Sequence, residues 1–436
     1  MIRKIRHIRS RKITAGAARL QDGYDSKMDS TSVATWQLER FNALWSEWRK
    51  YVPYYSALVE EFRLPVKFRS WEEFRDIFPV MNRGHVQAAG ERLHDQRFPA
   101  DYWRKTGGST AEPLQIPAWN SERELSAFTM WYARSWFGVA PPDSLFLLWG
   151  HSHLLGPGIF GKFNGIKRAL QDYILGYTRW SAYDLTEAAL RRAGDCLLER
   201  RSDWLLGYSV ALDRFARVNR DRADQIRALN LKLAVGTAES FPFSDSARLV
   251  EEVLGCPVAM EYGAVETGVL AHQHQDGSGF RVMWQDHMIE REKDTSEILV
   301  TSLFSRACPL LRYRLGDRIE PIKDISVNIR FKRVSGRCNE SITLSSGRLI
   351  HSEAFAHVVK ESSEIRGFQI IQNGGGSLVF RYLALEPINP PLESELRRRL
   401  EKIDPELRDL EIVHTTKLEQ TISGKTPMVL SMPDNF

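Results

Sequence analysis

Apolar positions along the chain follow two different periods. Over residues 34–62, Trp36, Leu38, Phe41, Leu44, Trp45 and Trp48 recur near a 3.6-residue spacing, which predicts a helix. Pro53 and Pro65 punctuate its far end and the segment beyond. Residues 122–137 predict a second helix, rich in aromatics (Phe128, Trp131, Tyr132, Trp136). Short apolar runs then alternate with helical patterns. Strands are predicted at 144–149, Trp204–Tyr208, 231–236 and 258–262, and helices at 184–201, 210–228 and 244–254. That alternation marks an α/β domain with largely parallel strands.

The rhythm changes after residue 275. Residues 279–333 read as several strands joined by turns, among them Glu297–Ser302 and 326–332. Farther on, apolar runs at 368–372 and 378–384 flank Asn373, three glycines and Ser377, a strong hairpin signal. A charged helix at 392–402 and a strand at Glu411–Thr415 complete the pattern. The expected fold is α/β: a large multi-subdomain body with mostly parallel sheets, and a small, mobile α+β C-terminal domain. The shift in pattern places the boundary near Gly336, giving a body over 1–336 and a lid over 337–436.

Composition narrows the class. The chain has 436 residues, 43% hydrophobic and 26% charged, which excludes collagen-like, mucin-like and wholly disordered proteins. The length exceeds what one core fills, so two or three domains are expected. Sixty Lys+Arg against 55 Asp+Glu leave a formal charge of +5, too small a surplus to argue for nucleic acid. Arg3, Lys4, Arg6, Arg9, Arg11 and Lys12 do cluster at the start. Residues 1–30 therefore read as a basic arm or a first helix, with an anionic membrane or RNA as the sharper alternative. The apolar stretch after this cluster is short and interrupted, unlike a signal peptide. No run reaches the roughly 18 apolar residues of a membrane span. Cysteines at 196, 256, 308 and 338 form no Cys-x-x-Cys pair and suit a reducing, cytoplasmic setting.

Four segments could carry chemistry. Thr106, Gly107, Gly108, Ser109 and Thr110 form a Gly/Ser/Thr run whose backbone N–H groups and hydroxyls can face an anion. Glu261, Tyr262, Gly263, Ala264, Val265 and Glu266 follow a predicted strand; Tyr262 could stack on a base and Glu266 could hold Mg2+. Asp317 follows Gly316 and could accept both ribose hydroxyls, or form a plain Asx-turn. Gly336 and Arg337 mark the domain boundary. Ser423, Gly424, Lys425 and Thr426 imitate the end of a phosphate-binding P-loop. The partner glycine is replaced by Glu419, however, and Pro427 stands where a helix should begin, so that reading fails. The pairs His151/His153 and His272/His274 invite a metal reading, but spacing supplies no third ligand.

Taken in order, these motifs resemble the adenylate-forming superfamily of acyl-CoA synthetases, adenylation domains and luciferases. They are most similar to the phenylacetate–CoA ligase group and its capsule-biosynthesis-associated relatives. The resemblance spans residues 30–430. It implies that Thr106–Thr110 hold the ATP phosphates, and that Gly236, Thr237, Ala238, Glu239 and Tyr262, beside Glu261 and Gly263, frame the adenine. It also implies Glu266 as Mg2+ ligand, Asp317 on the ribose, Arg337 at the hinge and Lys425 on the α-phosphate and the carboxylate. Thr106, Glu266 and Lys425 are thereby the catalytic residues. Trp131, Trp149, His151, Tyr208, Gly236, Gly263 and Ala264 would line a flat pocket suited to an aryl or arylacetic acid. The implied cofactors are ATP and Mg2+, with CoA as acceptor and a homodimer as assembly.

Two departures stand out, the first near the phosphates or substrate and the second in the region of the second half-reaction. Val265 stands where a hydroxyl residue usually precedes the Glu. Beyond Arg337 the usual acidic pair, Arg-Gly turn and closing Glu are replaced by a run from Cys338 to Ser341, by Gly347-Arg348, and by Ala356. The second half-reaction is thus the weakest part of the transfer. An amine or a carrier protein is an alternative acceptor, and a non-catalytic adenylate binder an alternative class.

Overall fold

The computed structural model describes residues 2–25, 29–105, 114–149, 158–182, 185–292, 295–323, 325–337, 341–346, 349–351, 355, 358–359, 362, 364–373, 376–419 and 427–432. In chain order the elements begin with five helices, α1 (Ile2–Asp25), α2 (Ser30–Tyr51), α3 (Pro53–Phe62), α4 (Trp71–Ile77) and α5 (Arg83–Ala89). Then come β1 (Tyr102–Lys105), β2 (Gln115–Ala118), α6 (Asn120–Ser135), β3 (Leu145–Trp149), α7 (Gly158–Leu175) and β4 (Tyr177–Ser181). The middle of the chain holds α8 (Glu187–Arg200), β5 (Trp204–Tyr208), α9 (Ser209–Val218), α10 (Ala223–Arg227), β6 (Ala234–Thr237) and α11 (Ser246–Leu254). Nine strands follow: β7 (Val258–Ala264), β8 (Gly268–Gln273), β9 (Phe280–Val282), β10 (His287–Arg291), β11 (Glu297–Ser302), β12 (Tyr313–Pro321), β13 (Arg330–Arg337), β14 (Ser341–Thr343) and β15 (Leu349–His351). The end is β16 (Gly367–Asn373), β17 (Leu378–Leu383), α12 (Pro390–Ile403), β18 (Glu411–Thr415) and β19 (Val429–Met432).

Two compact units interleave along the chain. The first comprises Met1–Gly108, Glu112–Asp143 and Ala259–Ser335. Its helices α2 to α5 surround an aromatic cluster of Phe41, Trp45, Phe68, Trp71, Phe74 and Phe78. Phe41 meets Phe74 edge-on at 4.8 Å, and the Trp45 indole N–H donates to the Pro65 carbonyl at 2.9 Å, so the buried polar handle is satisfied. The single helix expected over 34–62 is two. Val52 is extended (φ −111°, ψ 103°) because a residue before proline is driven out of the α region, and Pro53 opens α3, where its missing N–H costs nothing. The N-terminal segment takes the helical reading. Tyr24 of α1 stacks on Tyr132 of α6 at 4.8 Å, and Lys12 pairs with Glu124.

The strands of this unit run in the order β10-β11-β12-β13-β9-β8-β7. The pairs β10–β11, β11–β12, β13–β9, β9–β8 and β8–β7 are antiparallel. One face buries Leu270, Ile289, Val300, Ile319 and Phe331. The strand predicted at 326–332 begins four residues later, because a turn carries Ile329 N–H to Ser326 O at 2.9 Å first. Parallel pairing, expected to dominate, thus shares the structure with these antiparallel pairs, and the sheet architecture is mixed.

The second unit comprises Ser109–Ala111, Ser144–Val258 and Gly336–Phe436. Strands β6-β5-β3-β4 pair in parallel, as the α/β alternation predicts. Phe146, Leu148, Leu205, Leu212, Phe215, Ile226, Val250 and Leu254 form their core with α8 to α11. The helix expected over 210–228 breaks at Asn219. Its buried amide donates to the carbonyls of Phe215 and Leu190 at 2.9 and 3.1 Å, and a side chain that competes for backbone acceptors favours a helix end. Helix α7 and strand β4 had no counterpart among the expected elements.

The end of the chain follows its pattern closely. β16 and β17 form the hairpin, antiparallel through Ile370↔Phe380, with β18 parallel to β17 and β19 parallel to β16. Asn389 caps α12 by accepting from Leu392 N–H at 3.0 Å, and Leu396 and Leu400 press the helix onto Phe368 and Phe380. Among the described residues no helix is long and apolar enough to cross a membrane.

Candidate nucleotide and acid site

In the first unit, two motifs that lie 55 residues apart in sequence meet. The Tyr262 hydroxyl donates to Asp317 Oδ2 at 2.6 Å. Tyr262 ends on β7, with its ring edge-on to Phe280 and Phe331 at 6.4 and 6.1 Å, so its direction is set by packing. Asp317 lies within β12 rather than in the expected turn. Glu297 pairs with Arg318 and Leu299 with Arg314, so two steps on β11 face four on β12. Gly316 takes φ +79° within that bulge, and the extra residues re-aim Asp317, whose residue is 4% exposed.

β7 and β8 carry a second irregularity between Tyr262 and Gly263. A Cβ on Gly263 would lie 2.3 Å from Gly268 O and 2.9 Å from Val269 Cα, both backbone atoms, so only glycine fits. The segment after β7 is pinned from below. Buried Arg306 donates to Glu266 O at 2.5 Å, and His287 Nε2 donates to Thr267 O at 3.1 Å. Burial, and then the nearby Arg306, push the His287 imidazole down to about 3, so it is neutral and serves as a donor.

Glu266 itself is mostly covered, its side chain 13% exposed. Arg83 of α5 stands 3.9 Å away, and Tyr313 of β12 lies close enough to feel its charge. Burial, and then the Glu266 charge, raise the Tyr313 hydroxyl above the usual tyrosine range, so it remains a donor. A carboxylate oxygen is the right donor for a hard cation, and Mg2+ keeps several water or phosphate ligands, so one protein carboxylate suits it. Among the described residues no three His, Cys, Asp or Glu side chains gather into a group that could hold a metal ion. Burial also lowers the His272 imidazole below the usual histidine range.

Glu261 is held by Arg134 at 2.9 Å, both side chains nearly buried, and that guanidinium lies 5.4 Å over the Trp131 ring. Trp131 is 4% exposed and packs as core. Gly263 and Ala264 continue β7 beside it in sequence.

In the second unit, three parallel strands bring sites of the Gly236 segment and the aromatic pair to one edge. Leu148, Gly207 and Gly236 are in register, so Trp149, Tyr208 and Thr237 all lie at carboxyl ends of strands, where open α/β sheets bind ligands. The Trp149 and Tyr208 rings lie 4.3 Å apart at 41°. Ala238 takes φ +72°, an uncommon conformation for a non-glycine residue. Glu239 accepts the Val210 N–H at 3.4 Å, meeting one of the donors left free in the first turn of α9.

Thr106 to Thr110, His151 and Lys425 lie outside the described residues, as does the side chain of Arg337. Arg83, Tyr313, Arg306 and His287 are the supporting residues that sequence reasoning missed. None sits in a motif pattern except Tyr313, whose neighbour Asp317 drew attention to the segment.

The architecture is the fold seen in solved CoA ligases with bound acyl-adenylates. The structure aligns with that of 2-hydroxyisobutyryl-CoA ligase in its postadenylation state with R3-HIB-AMP. The TM-score is 0.70 at 15% identity, over 93% of this chain and 90% of that one. It also aligns with an anthranilate CoA ligase, AuaEII, in complex with anthranoyl-AMP, at a TM-score of 0.54 and 12% identity, over 74% of this chain and 65% of that one. In sequence it is similar to Protein CapK of Staphylococcus aureus, 25% identical over 147 residues. That match spans 31% of this chain and only 31% of the relative's length. No family model matches the sequence.

Proposed function

We propose that this protein activates a carboxylic acid with ATP, forming an acyl-adenylate and pyrophosphate, and then passes the acyl group to CoA. The observation that supports this reading is the hydrogen bond from Tyr262 to Asp317, which joins two nucleotide motifs at 2.6 Å. In this reading Asp317 accepts the ribose hydroxyls and Tyr262 and Gly236 to Glu239 frame the adenine. Thr106 to Thr110 take the phosphates, and Arg337 lies at the hinge. A substrate carboxylate oxygen attacks the α-phosphorus in line, and the bond to pyrophosphate breaks. Two anions must approach for this, so cation placement dominates the barrier. Lys425 supplies one cation. Mg2+ would neutralise charge on the phosphates when bound, and Glu266 is the residue to hold it.

The tail, 337–436, would act as a moving lid that delivers and then removes Lys425. The paired rings of Trp149 and Tyr208 favour a flat acid, aryl or arylacetic, and the family resemblance adds His151, Gly236, Gly263 and Ala264 to that pocket. The altered run beyond Arg337 keeps an amine or a carrier protein as alternative acceptor, and Val265, 43% exposed and without a hydroxyl, keeps a non-catalytic adenylate binder as alternative class.

ATP–pyrophosphate exchange across an acid library tests the first half-reaction, with hydroxylamine to trap the acyl-adenylate. Absence of both exchange and hydroxamate across a broad panel refutes the reading. Replacing CoA with amines then assigns the acceptor.

A further inference from the structure

The second unit holds a partly open cavity of about 260 Å³ that none of the residues assigned above line. It lies between the N-terminal ends of α8 and α9 on one side and β16 with residues 416–418 on the other. Leu185, Phe368 and Met428 contribute apolar wall, and Arg214, Arg366 and Lys417 contribute three cations.

The local charges do not balance. Asp213 also borders the cavity, but both its oxygens are taken by Arg217, at 2.9 and 3.0 Å. Glu187 reaches Arg366 only at 3.5 Å, from a side chain 54% exposed. No carboxylate among the described residues comes within 4 Å of Arg214. Burial, and then the facing Arg366, hold the Arg214 guanidinium below the usual arginine range. Like charges gathered in a partly desolvated space cost free energy, and an anion placed among them relieves that cost. Guanidinium forks match carboxylate and phosphate oxygens two at a time. The volume would hold roughly nine waters at ~30 Å³ each, more than a bare phosphate fills. The apolar wall asks for an apolar body.

We propose that this cavity binds a small amphiphilic anion, with an apolar body of aromatic-ring size and a single carboxylate or phosphate head gripped by Arg214 and Arg366, with Lys417 as third cation. Arg214 comes from α9, whereas Arg366 and Lys417 come from the last hundred residues. The bound anion therefore ties the end of the chain to the parallel-strand segment. The proposal uses none of the residues assigned to the nucleotide or the acid, although Arg366 and Lys417 lie in the segment assigned as lid.

Titration calorimetry on the full chain tests it with phenyl phosphate, benzoate and inorganic phosphate. Phenyl phosphate or benzoate is expected to bind, and inorganic phosphate more weakly. Arg214→Gln and Arg366→Gln should each weaken that binding by roughly tenfold or more, as the loss of a charge-assisted contact does. Asp317→Asn should leave it unchanged. A preference for phenyl phosphate assigns a phosphate head, and a preference for benzoate a carboxylate. Lys417→Gln, at the rim, provides a second variant if Arg214→Gln fails to fold, and it too should weaken binding. The proposal is overturned if neither organic anion binds, or if inorganic phosphate binds as tightly as phenyl phosphate. It is equally overturned if the arginine variants bind like the parent, or if Asp317→Asn abolishes binding.

Discussion

Asp286 provides a stability experiment whose sign the structure dictates. Its residue is 5% exposed, just ahead of β10, and Oδ2 accepts the Thr129 hydroxyl at 2.5 Å. Burial raises the carboxyl to about 6 from an ordinary 3.8, although Thr129 and the more distant Arg40 pull the other way. The ionised form therefore costs about 3 kcal/mol more in the folded protein than in the unfolded chain. That cost is fully present above pH 6, shrinks as pH falls through the folded value, and is gone below the unfolded one. Asp286→Asn keeps the size of the side chain and one acceptor for Thr129, but carries no charge. Its new N–H2 group costs about 1–3 kcal/mol if unpaired, equally at every pH. The signature is thus a difference of differences. Relative to the parent, the variant should be about 2.4 kcal/mol better off at pH 8 than at pH 4, because the unfolded carboxyl is already half ionised at pH 4. Urea unfolding at pH values from 4 to 8, followed by tryptophan fluorescence, measures this, because other titrating groups cancel between the two proteins. A stability difference that stays flat across that range, or that moves against the variant as pH rises, refutes the argument.

Three further predictions concern the candidate site. Tyr262→Phe removes one hydrogen bond to a carboxylate, about 1.5–3 kcal/mol, so the KM for ATP should rise roughly tenfold or more while that for the acid holds, as initial-rate kinetics will show. Lys425→Ala should nearly abolish acyl-adenylate formation in the hydroxamate assay yet leave equilibrium ATP binding largely intact; full activity in the variant would remove the lysine from the mechanism. Gly263→Ala must push backbone atoms of Gly268 and Val269 aside, which costs ~1–3 kcal/mol, and a lowered Tm together with lost activity is expected.

Local order was readable wherever periodicity was long or a turn was chemically marked. Trp204–Tyr208, Glu297–Ser302 and Glu411–Thr415 fall where the alternation placed them. The hairpin around Asn373 and Ser377 announced itself through glycine. The misses share a cause. Val52 and Asn219 end helices through one residue's backbone or side-chain chemistry, which a window average smooths over. α7 escaped because three glycines and polar residues interrupt its period, and Ile166, Leu170 and Tyr173 on it remain exposed.

For the site, the sequence by itself determined which residues are chemically equipped: the Tyr-Gly-x-x-Glu and Tyr-Arg-x-Gly-Asp segments, with Asp317 and Glu266 in them. Residue type and local spacing are all that such a reading needs. Only tertiary structure decided that Tyr262 points at Asp317, that Arg83 and Tyr313 share Glu266, and that buried Arg306 and His287 fasten the segment from below. Those contacts join positions 40 or more residues apart, or pair groups with no periodic signature, except the shorter link from His287 to Thr267. They arise from sheet order and from a bulge in β12, and neither can be computed from neighbours along the chain. The same holds for the cavity with Arg214 and Arg366. Each arginine alone reads as an ordinary surface cation, and only folding brings the two to face each other.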